Sequence, residues 1–189
     1  MYLKQLVQSG KTVFSLDDLQ KIWLIEARNY LRLVVGRLVK KGEIIRISRC
    51  LYALNKEFDL LELANKVKIP SYVSLETVLQ KEGIVFQDYE RTIFSISNNS
   101  LTKKINDLDF SYFKIKDEIL FNPLGIKRSK QANLATVERA LCDRIYLSPN
   151  YYFDNLRPVN QEEILKISQI YNLRVQKEVK NLIKAKNNQ

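Results

Sequence analysis

The chain has 189 residues, 46% of them hydrophobic, and a formal net charge of +10 at pH 7. It contains no histidine, the usual general base and commonest metal ligand, and its two cysteines, Cys50 and Cys142, have no metal-type spacing. No apolar run approaches the ~20 residues of a membrane span. We therefore expect a cytoplasmic protein with reduced cysteines, no membrane partner, no metal and no cofactor.

The positive charge is concentrated at the two ends of the chain. Residues 1–55 carry ten Lys/Arg and four Asp/Glu, residues 56–173 carry sixteen of each, and residues 174–189 carry five against one. A solvated basic surface kept only for solubility does not predict such segregation. The distribution favours an N-terminal part that binds DNA or RNA.

The first elements in chain order are short. Apolar residues at helical spacing predict a helix over residues 2–7, and the β-prone run 12–14 predicts a short strand. Ser15 is a favourable N-cap for a second helix that continues through Trp23. Asp17 and Asp18 suit the first turn of that helix, where the helix dipole favours negative charge.

A longer helix and a hairpin follow. The pattern predicts a helix from near Glu26 to Lys41, ended by Gly42, and a hairpin over residues 44–54 turned at Ser48–Arg49. The predicted buried stripe of the longer helix consists of Leu31, Val34, Val35 and Leu38.

This order of elements over residues 11–54 predicts a winged helix-turn-helix. In this motif the longer helix, predicted from near Glu26 to Lys41, enters a major groove of double-stranded DNA. Arg and Asn on that helix can hydrogen-bond base edges, whereas basic residues of the hairpin suit the DNA backbone. The alternative is that Arg28 and Arg32 pair with Glu26 or face solvent. The predicted DNA-binding residues are Lys11, Thr12, Ser15, Arg28, Asn29, Arg32, Arg37, Arg46, Ser48 and Arg49.

The remainder of the chain predicts a second domain. After a connector over residues 55–70, we expect a helix at 75–81, capped by Ser74, and a strand at 91–97. Residues 110–116 and 119–122 predict a hairpin turned at Asp117–Glu118. Further helices are predicted over 134–147 and, as one long amphipathic helix, over 161–184.

The predicted fold class is therefore α+β. A winged helix-turn-helix domain at 1–55 precedes a mixed α/β domain at 56–189, which has a small sheet and a long C-terminal helix.

Three stretches resemble the AbiEi-type antitoxins of bacterial type IV toxin–antitoxin, or abortive-infection, systems. They are the hairpin segment RISRCLY at residues 46–52, PSYVSLETVL at 70–79 followed by Gly83, and ATVERALCD at 135–143. The second is similar to the family's P-x-Y-[IV]-S-L-E-S-A-L and the third to its A-[ST]-x-E-[RK]-A-L-x-D. Cys50 stands where the family tends to have a glycine in the wing.

The resemblance implies a repressor that binds its own operator and also counters a nucleotidyltransferase-like toxin, without the need for a stable complex. Direct binding, target protection and chemical inactivation of the toxin all stay open. The shared residues form a candidate antitoxin patch: Ser74, Glu138, Arg139 and Asp143. For Glu138, Arg139 and Asp143 we favour an ion-pair network that ties their helix to the sheet over a polar patch that faces the toxin, since Arg139 and Asp143 are an i,i+4 pair and Val137 and Leu141 bury the adjoining face.

The enzyme motifs considered for this sequence do not indicate a catalytic function. The five glycines fit neither a phosphate-binding loop nor a dinucleotide fingerprint. We therefore expect a non-enzymatic antitoxin and autorepressor. The alternatives are a stand-alone winged-helix regulator whose second domain senses a ligand or dimerises, and an enzyme that silences the toxin covalently.

Overall fold

The structure is a computed structural model that describes residues 2–129 and 131–187. Two compact units are present, each with its own sheet. The first unit runs to Ile69 and includes Ser129 and Ala132; the second comprises Pro70–Arg128 and the residues from Asn133. Helices and two sheets together confirm the predicted α+β class.

The first unit combines four helices with a three-stranded antiparallel sheet of order β1-β3-β2 in its described residues. Its elements are α1 (Tyr2–Gln8), β1 (Val13–Ser15), α2 (Leu16–Trp23), α3 (Arg28–Lys40), β2 (Ile45–Ser48), β3 (Leu51–Ala53) and α4 (Leu60–Val67).

Local signals define the start of α2 and the buried side of α3. Ser15 caps α2 in a capping box, in which its hydroxyl accepts from the Asp18 backbone N–H while the Asp18 carboxylate accepts from the Ser15 backbone. Both the cap and the buried stripe of α3 are confirmed. The stripe packs against Phe14 and Trp23 in the core of the unit.

The β2–β3 hairpin turns one residue later than predicted. Arg49 and Cys50 form the turn, and Ser48 is still part of β2. Cys50 has φ +63°, a left-handed conformation that glycine adopts without steric cost. Cysteine itself carries no turn signal, and the glycine that the resembled family tends to have at this position was the signal available.

The first unit extends to Ile69 rather than ending at residue 55. Glu62 of α4 is fully buried, and its Oε2 accepts hydrogen bonds from the Thr12 backbone N–H (2.8 Å), the Thr12 hydroxyl (2.8 Å) and the Val13 N–H (3.2 Å). The Asp59 backbone N–H donates to the Thr12 hydroxyl at 2.8 Å. These bonds span about fifty residues of chain, so sequence periodicity could not reveal them.

The second unit is built on a six-stranded mixed sheet of order β6-β7-β5-β4-β9-β8, larger than the small sheet predicted. The pairs β5–β7 and β4–β9 are parallel, and the others are antiparallel. Its elements are β4 (Ser71–Val73), α5 (Glu76–Lys81), β5 (Thr92–Ser97), β6 (Leu101–Ile105), β7 (Leu108–Lys114), α6 (Asp117–Leu120), β8 (Ile126–Arg128), β9 (Asn133–Ala135), α7 (Val137–Leu147), α8 (Gln161–Ser168) and α9 (Leu173–Asn187).

The predicted hairpin around Asp117–Glu118 is wrong. Those residues begin the short helix α6, and β7 instead pairs with β6 through a turn at Asn106–Asp107. Asn106 has φ +53°, a left-handed conformation that asparagine tolerates better than most residues. An Asn-Asp pair between two β-prone runs was the available signal for this turn.

Two predicted helices are shorter than expected. Residues 133–135 form a strand, and the Thr136 hydroxyl caps α7 by accepting from the Arg139 backbone N–H. The single helix predicted over 161–184 is broken at 169–172 into α8 and α9. The Asn172 side chain accepts from the Val175 N–H at 3.1 Å, as an N-cap does at a new helix start. The apolar spacing continues across the break, so it did not reveal the interruption.

Each unit has a separate hydrophobic core. In the second unit, α5, α7, α8 and α9 contribute buried apolar side chains that pack with Tyr72 and Ile96 of the sheet. Among the described residues, no helix combines the length and the apolar character required to cross a membrane.

Candidate nucleic-acid interface and buried polar network

The outer face of α3 is basic and exposed. Arg28, Asn29, Arg32, Arg37 and Lys40 are all exposed, and all of them except Arg28 lie on the side of the helix away from its buried stripe. The sequence of α3 contains no aspartate or glutamate. A helix face with guanidinium and amide groups and no carboxylate suits phosphate and base edges.

Neighbouring elements add to this set of exposed groups. Arg28 forms a solvent-exposed ion pair with Asp17 of α2 (3.1 Å), rather than with Glu26. Such a pair is weak and easily exchanged for another partner. Arg46 and Arg49 are exposed on the β2–β3 hairpin, where the Arg46 Nε donates to the Ser48 carbonyl at 3.3 Å.

Four predicted DNA-binding residues have side chains that are bonded within the first unit or buried. Lys11 pairs with Asp18, the Thr12 hydroxyl bonds Glu62, and the Ser15 hydroxyl donates to Asp18. The Ser48 hydroxyl is buried and has no hydrogen-bond partner among the described residues. The predicted DNA-binding residues that are exposed are therefore those of α3, together with Arg46 and Arg49 of the hairpin.

Asp18 is the centre of a small charge cluster in the first unit. Its carboxylate lies 2.7 Å from the Lys11 ammonium and 2.6 Å from that of Lys66. Partial burial by itself raises the pKa of Asp18, but hydrogen bonds from Lys11, Lys66 and Ser15 lower it by more, so the pKa lies well below its ordinary value.

We expect Asp18→Asn to lower the free energy of unfolding of the first unit by about 1–3 kcal/mol near neutral pH. Because the folded-state pKa lies below the unfolded value, the stabilisation by the carboxylate is complete above about pH 4 and is lost as the pH falls below that. Urea unfolding followed by the fluorescence of Trp23, the only tryptophan, reports on this unit.

As the pH falls below about 4, the wild-type protein should lose stability more steeply than Asp18→Asn does. Asp17→Asn is the matched control, since Asp17 lies on the same helical turn but is 67% exposed. It should keep the wild-type pH dependence. Equal slopes for wild type and Asp18→Asn would contradict the assigned role of Asp18.

The second unit contains a fully buried polar network around Asp143. Its carboxylate accepts hydrogen bonds from the hydroxyls of Tyr171 (2.6 Å), Ser74 (2.8 Å) and Tyr72 (3.0 Å). The Arg139 Nε lies 3.4 Å from Asp143 Oδ1, and both side chains have 0% exposure. Three hydroxyl donors and one guanidinium thus surround this carboxylate, from β4, the residue after it, α7 and the segment between α8 and α9.

The Arg139 guanidinium also holds the loop that follows α6. It donates to the carbonyls of Ile119 (2.6 Å) and Leu124 (2.8 Å) and to the Tyr72 hydroxyl (2.9 Å). Burial by itself lowers the pKa of Arg139, but the Asp143 carboxylate raises it above its ordinary value, so the guanidinium stays charged. Burial raises the pKa of Asp143, and Arg139 and the three hydroxyls oppose that rise.

The candidate antitoxin patch is not an exposed patch. Ser74, Arg139 and Asp143 have 0% exposure, and the half-buried Glu138 accepts from the Asn160 backbone N–H at 3.0 Å. Ser74 does not cap α5 as predicted; Leu75 occupies the N-cap position. The geometry of Arg139 and Asp143 corresponds to the interpretation favoured from the sequence, a network that ties α7 to the sheet.

The sequence interpretation missed Tyr72 and Tyr171 as members of this network. Tyr72 lies within one of the stretches that carry the resemblance, so a signal was present. Tyr171 had none, since its spacing fits an ordinary apolar helix position. Its hydroxyl reaches Asp143 because α8 ends before it.

The chain matches neither a model of a known protein family nor a curated protein. Among the described residues, no three His, Cys, Asp or Glu side chains are grouped in a way that could hold a metal ion.

Proposed function

We propose that the protein is a DNA-binding autorepressor and antitoxin of a type IV toxin–antitoxin system, in which the first unit is a winged helix-turn-helix. In this proposal α3 enters the major groove of operator DNA and the β2–β3 hairpin is the wing. The second unit counters a nucleotidyltransferase-like toxin. The observation that carries the DNA-binding half is the acid-free, arginine-rich exposed face of α3.

The positions of the side chains along α3 support two kinds of DNA contact, to base edges and to phosphates. Arg28, Asn29 and Arg32 lie in its N-terminal half, the part that contacts base edges in this motif. Arg37 and Lys40 lie further along, where they suit phosphates. Arg49 at the hairpin turn suits the DNA backbone or the minor groove.

The antitoxin half rests on the three sequence stretches, and the structure of the second unit adds one supporting feature. Tyr72 and Ser74 from the 70–79 stretch bond directly to Arg139 and Asp143 from the 135–143 stretch. The two stretches thus form one structural core. A direct contact with the toxin would use other, exposed residues of the unit.

We expect Arg32→Ala to weaken binding to the operator by about 1–3 kcal/mol and to relax discrimination between operator and unrelated DNA. Arg49→Ala should weaken all DNA sequences alike and reduce the salt dependence of binding. Fluorescence anisotropy with operator and scrambled duplexes, over a range of salt concentrations, measures both effects.

Arg91→Ala, an exposed arginine of the second unit, is the control and should leave affinity unchanged. Unchanged affinity in both Arg28→Ala and Arg32→Ala would overturn the proposed recognition face.

Growth rescue tests the antitoxin half. The neighbouring gene is expressed as the toxin from an independent promoter, together with wild type or the Arg32→Glu/Arg37→Glu double variant of the full chain. Rescue by both would establish an antitoxin activity separable from DNA binding. Operator binding without rescue by either would leave the alternative, a stand-alone winged-helix regulator. A mass shift on the toxin would instead reveal covalent silencing.

A further inference from the structure

Two loops of the second unit carry exposed aromatic and acidic side chains. Phe86 is 69% and Tyr152 78% exposed, among the most exposed large apolar side chains described. Residues 82–90 and 149–156 contain four acidic residues and no lysine or arginine, in a chain whose net charge is +10. The exposed cations Lys81, Arg91 and Arg157 directly flank these segments, and Arg91 pairs with Asp107. We name this set the acidic aromatic surface: Phe86, Tyr152, Glu82, Asp88, Glu90 and Asp154.

Hydrogen bonds join the two loops into one surface. The Asp154 backbone N–H donates to the Ile84 carbonyl at 3.0 Å, and the Phe86 N–H donates to the Asp154 carboxylate at 2.8 Å. The Tyr89 and Tyr151 hydroxyls lie 3.3 Å apart. Tyr152 lies two residues from Asp154, at most about 7 Å along the chain. An ordered surface with exposed aromatic side chains and an acidic rim is typical of a protein-binding site.

The exposed face of α3 has the complementary composition. Tyr30 (49% exposed) and Leu33 (59% exposed) are three residues apart on the helix and so lie on neighbouring turns of the same face. Arg37 lies one turn after Leu33 on the same face, and Arg28 and Arg32 are also exposed on this helix. An apolar centre with a basic rim matches an aromatic centre with an acidic rim in both respects.

We propose that the acidic aromatic surface of one protein molecule binds the α3 face of a second copy of the same chain. Two different surfaces meet in this contact, so it is heterologous and each molecule keeps one free end. Because the contact covers α3, self-association and operator DNA compete for the same residues. Only the competition with DNA rests on the proposed function. The self-association is inferred from the two surfaces alone.

Sedimentation of the full chain at up to about 100 µM tests the contact, a range that detects dissociation constants near or below that value. We expect reversible association at about 0.1 M salt that is lost at about 1 M, where the screening length falls from ~10 Å to ~3 Å. Phe86→Ser/Tyr152→Ser should weaken association at least about tenfold, as removal of aromatic anchors does. Phe121→Ser, at an aromatic side chain that is 60% exposed elsewhere in the unit, is the matched control and should change it less than about twofold.

A mixing experiment identifies the two surfaces. Glu82→Lys/Glu90→Lys reverses the acidic rim while sparing Asp88 and Asp154, which hold the loops, and Arg32→Glu/Arg37→Glu reverses the α3 face. Each variant alone should be monomeric, and an equimolar mixture should associate because one unaltered surface of each kind remains. The charge-matched control Glu118→Lys/Glu163→Lys should associate as wild type does.

Three results would overturn the inference: a monomeric wild type, association that persists in Glu82→Lys/Glu90→Lys, or a mixture that stays monomeric. Operator binding is measured in parallel after dilution to a concentration at which the protein is monomeric, so that self-association does not compete with DNA. Wild type that binds DNA but does not associate would refute only the inference. Restored association in the mixture, with no DNA binding by wild type, would refute only the proposed function.

Discussion

Arg139→Met is expected to destabilise the second unit by about 3–5 kcal/mol, because it removes the charged partner of a buried carboxylate. Asp143 has 0% exposure and would keep only the hydroxyls of Tyr171, Ser74 and Tyr72. The carbonyls of Ile119 and Leu124 would lose their donor as well. Urea unfolding followed by circular dichroism measures the loss, while Trp23 fluorescence reports separately on the first unit.

The pH dependence of the variant provides a second readout. Burial already raises the pKa of Asp143, and loss of Arg139 removes the largest opposing contribution. A carboxyl whose folded-state pKa is raised destabilises the folded state when it is ionised. The variant should therefore lose stability relative to wild type as the pH rises from about 4 to 7. A variant deficit that does not change with pH would contradict a buried, unpaired Asp143.

Two controls separate burial from the substitution itself. Arg91→Met makes the same change in an ion pair whose side chains are 68% and 82% exposed, and should cost less than about 1 kcal/mol. Arg139→Met/Asp143→Leu removes both charges and should recover much of the stability lost in the single variant. Failure of that recovery would indicate that the carbonyl contacts of Arg139, rather than the ion pair, dominate.

Gly125→Ala is expected to destabilise the second unit by about 2–4 kcal/mol, from backbone strain and from overpacking. Gly125 has φ +73°, and a Cβ there would lie 2.8 Å from both the Arg139 Cβ and the Ile167 Cδ1. Its carbonyl also accepts from the Thr136 N–H at 2.8 Å, which holds the backbone at the start of α7. The glycine therefore permits the close approach through which Arg139 reaches the loop.

Gly83→Ala is the matched control for this prediction. Gly83 has φ +67°, but nothing lies within 4 Å of a Cβ built there. It should cost only the backbone strain, about 1–2 kcal/mol. The difference between the two variants in urea unfolding measures the steric contact at Gly125, and equal losses would show that the contact relaxes without cost.

Local chemistry made much of the first unit predictable. The Ser15 cap, the buried stripe of α3 and the hairpin after Gly42 depend on residues within one or two turns of one another, and all three are present. The exposed basic face of α3 followed from the same periodicity. Its affinity for DNA stays a prediction.

The second unit was less predictable because its interactions are long-range. The predicted hairpin at Asp117–Glu118 failed since β7 pairs with β6 and β5, and which strands pair depends on the whole sheet. The long helix failed because Asn172 begins a new helix and frees Tyr171 to reach Asp143. Helical periodicity does not distinguish a continuous helix from two that bury the same face.

The sequence by itself determined the α+β class, the segregation of positive charge and the residues of the three stretches at 46–52, 70–79 and 135–143. Composition and short-range patterns carry that information. Only the tertiary structure decided that Ser74, Arg139 and Asp143 are buried together instead of forming an outer patch, and that α4 belongs with the first unit. Those outcomes depend on contacts such as Ser74 with Asp143 and Thr12 with Glu62, between residues far apart in the chain. Burial of a charged group is decided by what folds over it, which its own neighbours in sequence do not specify.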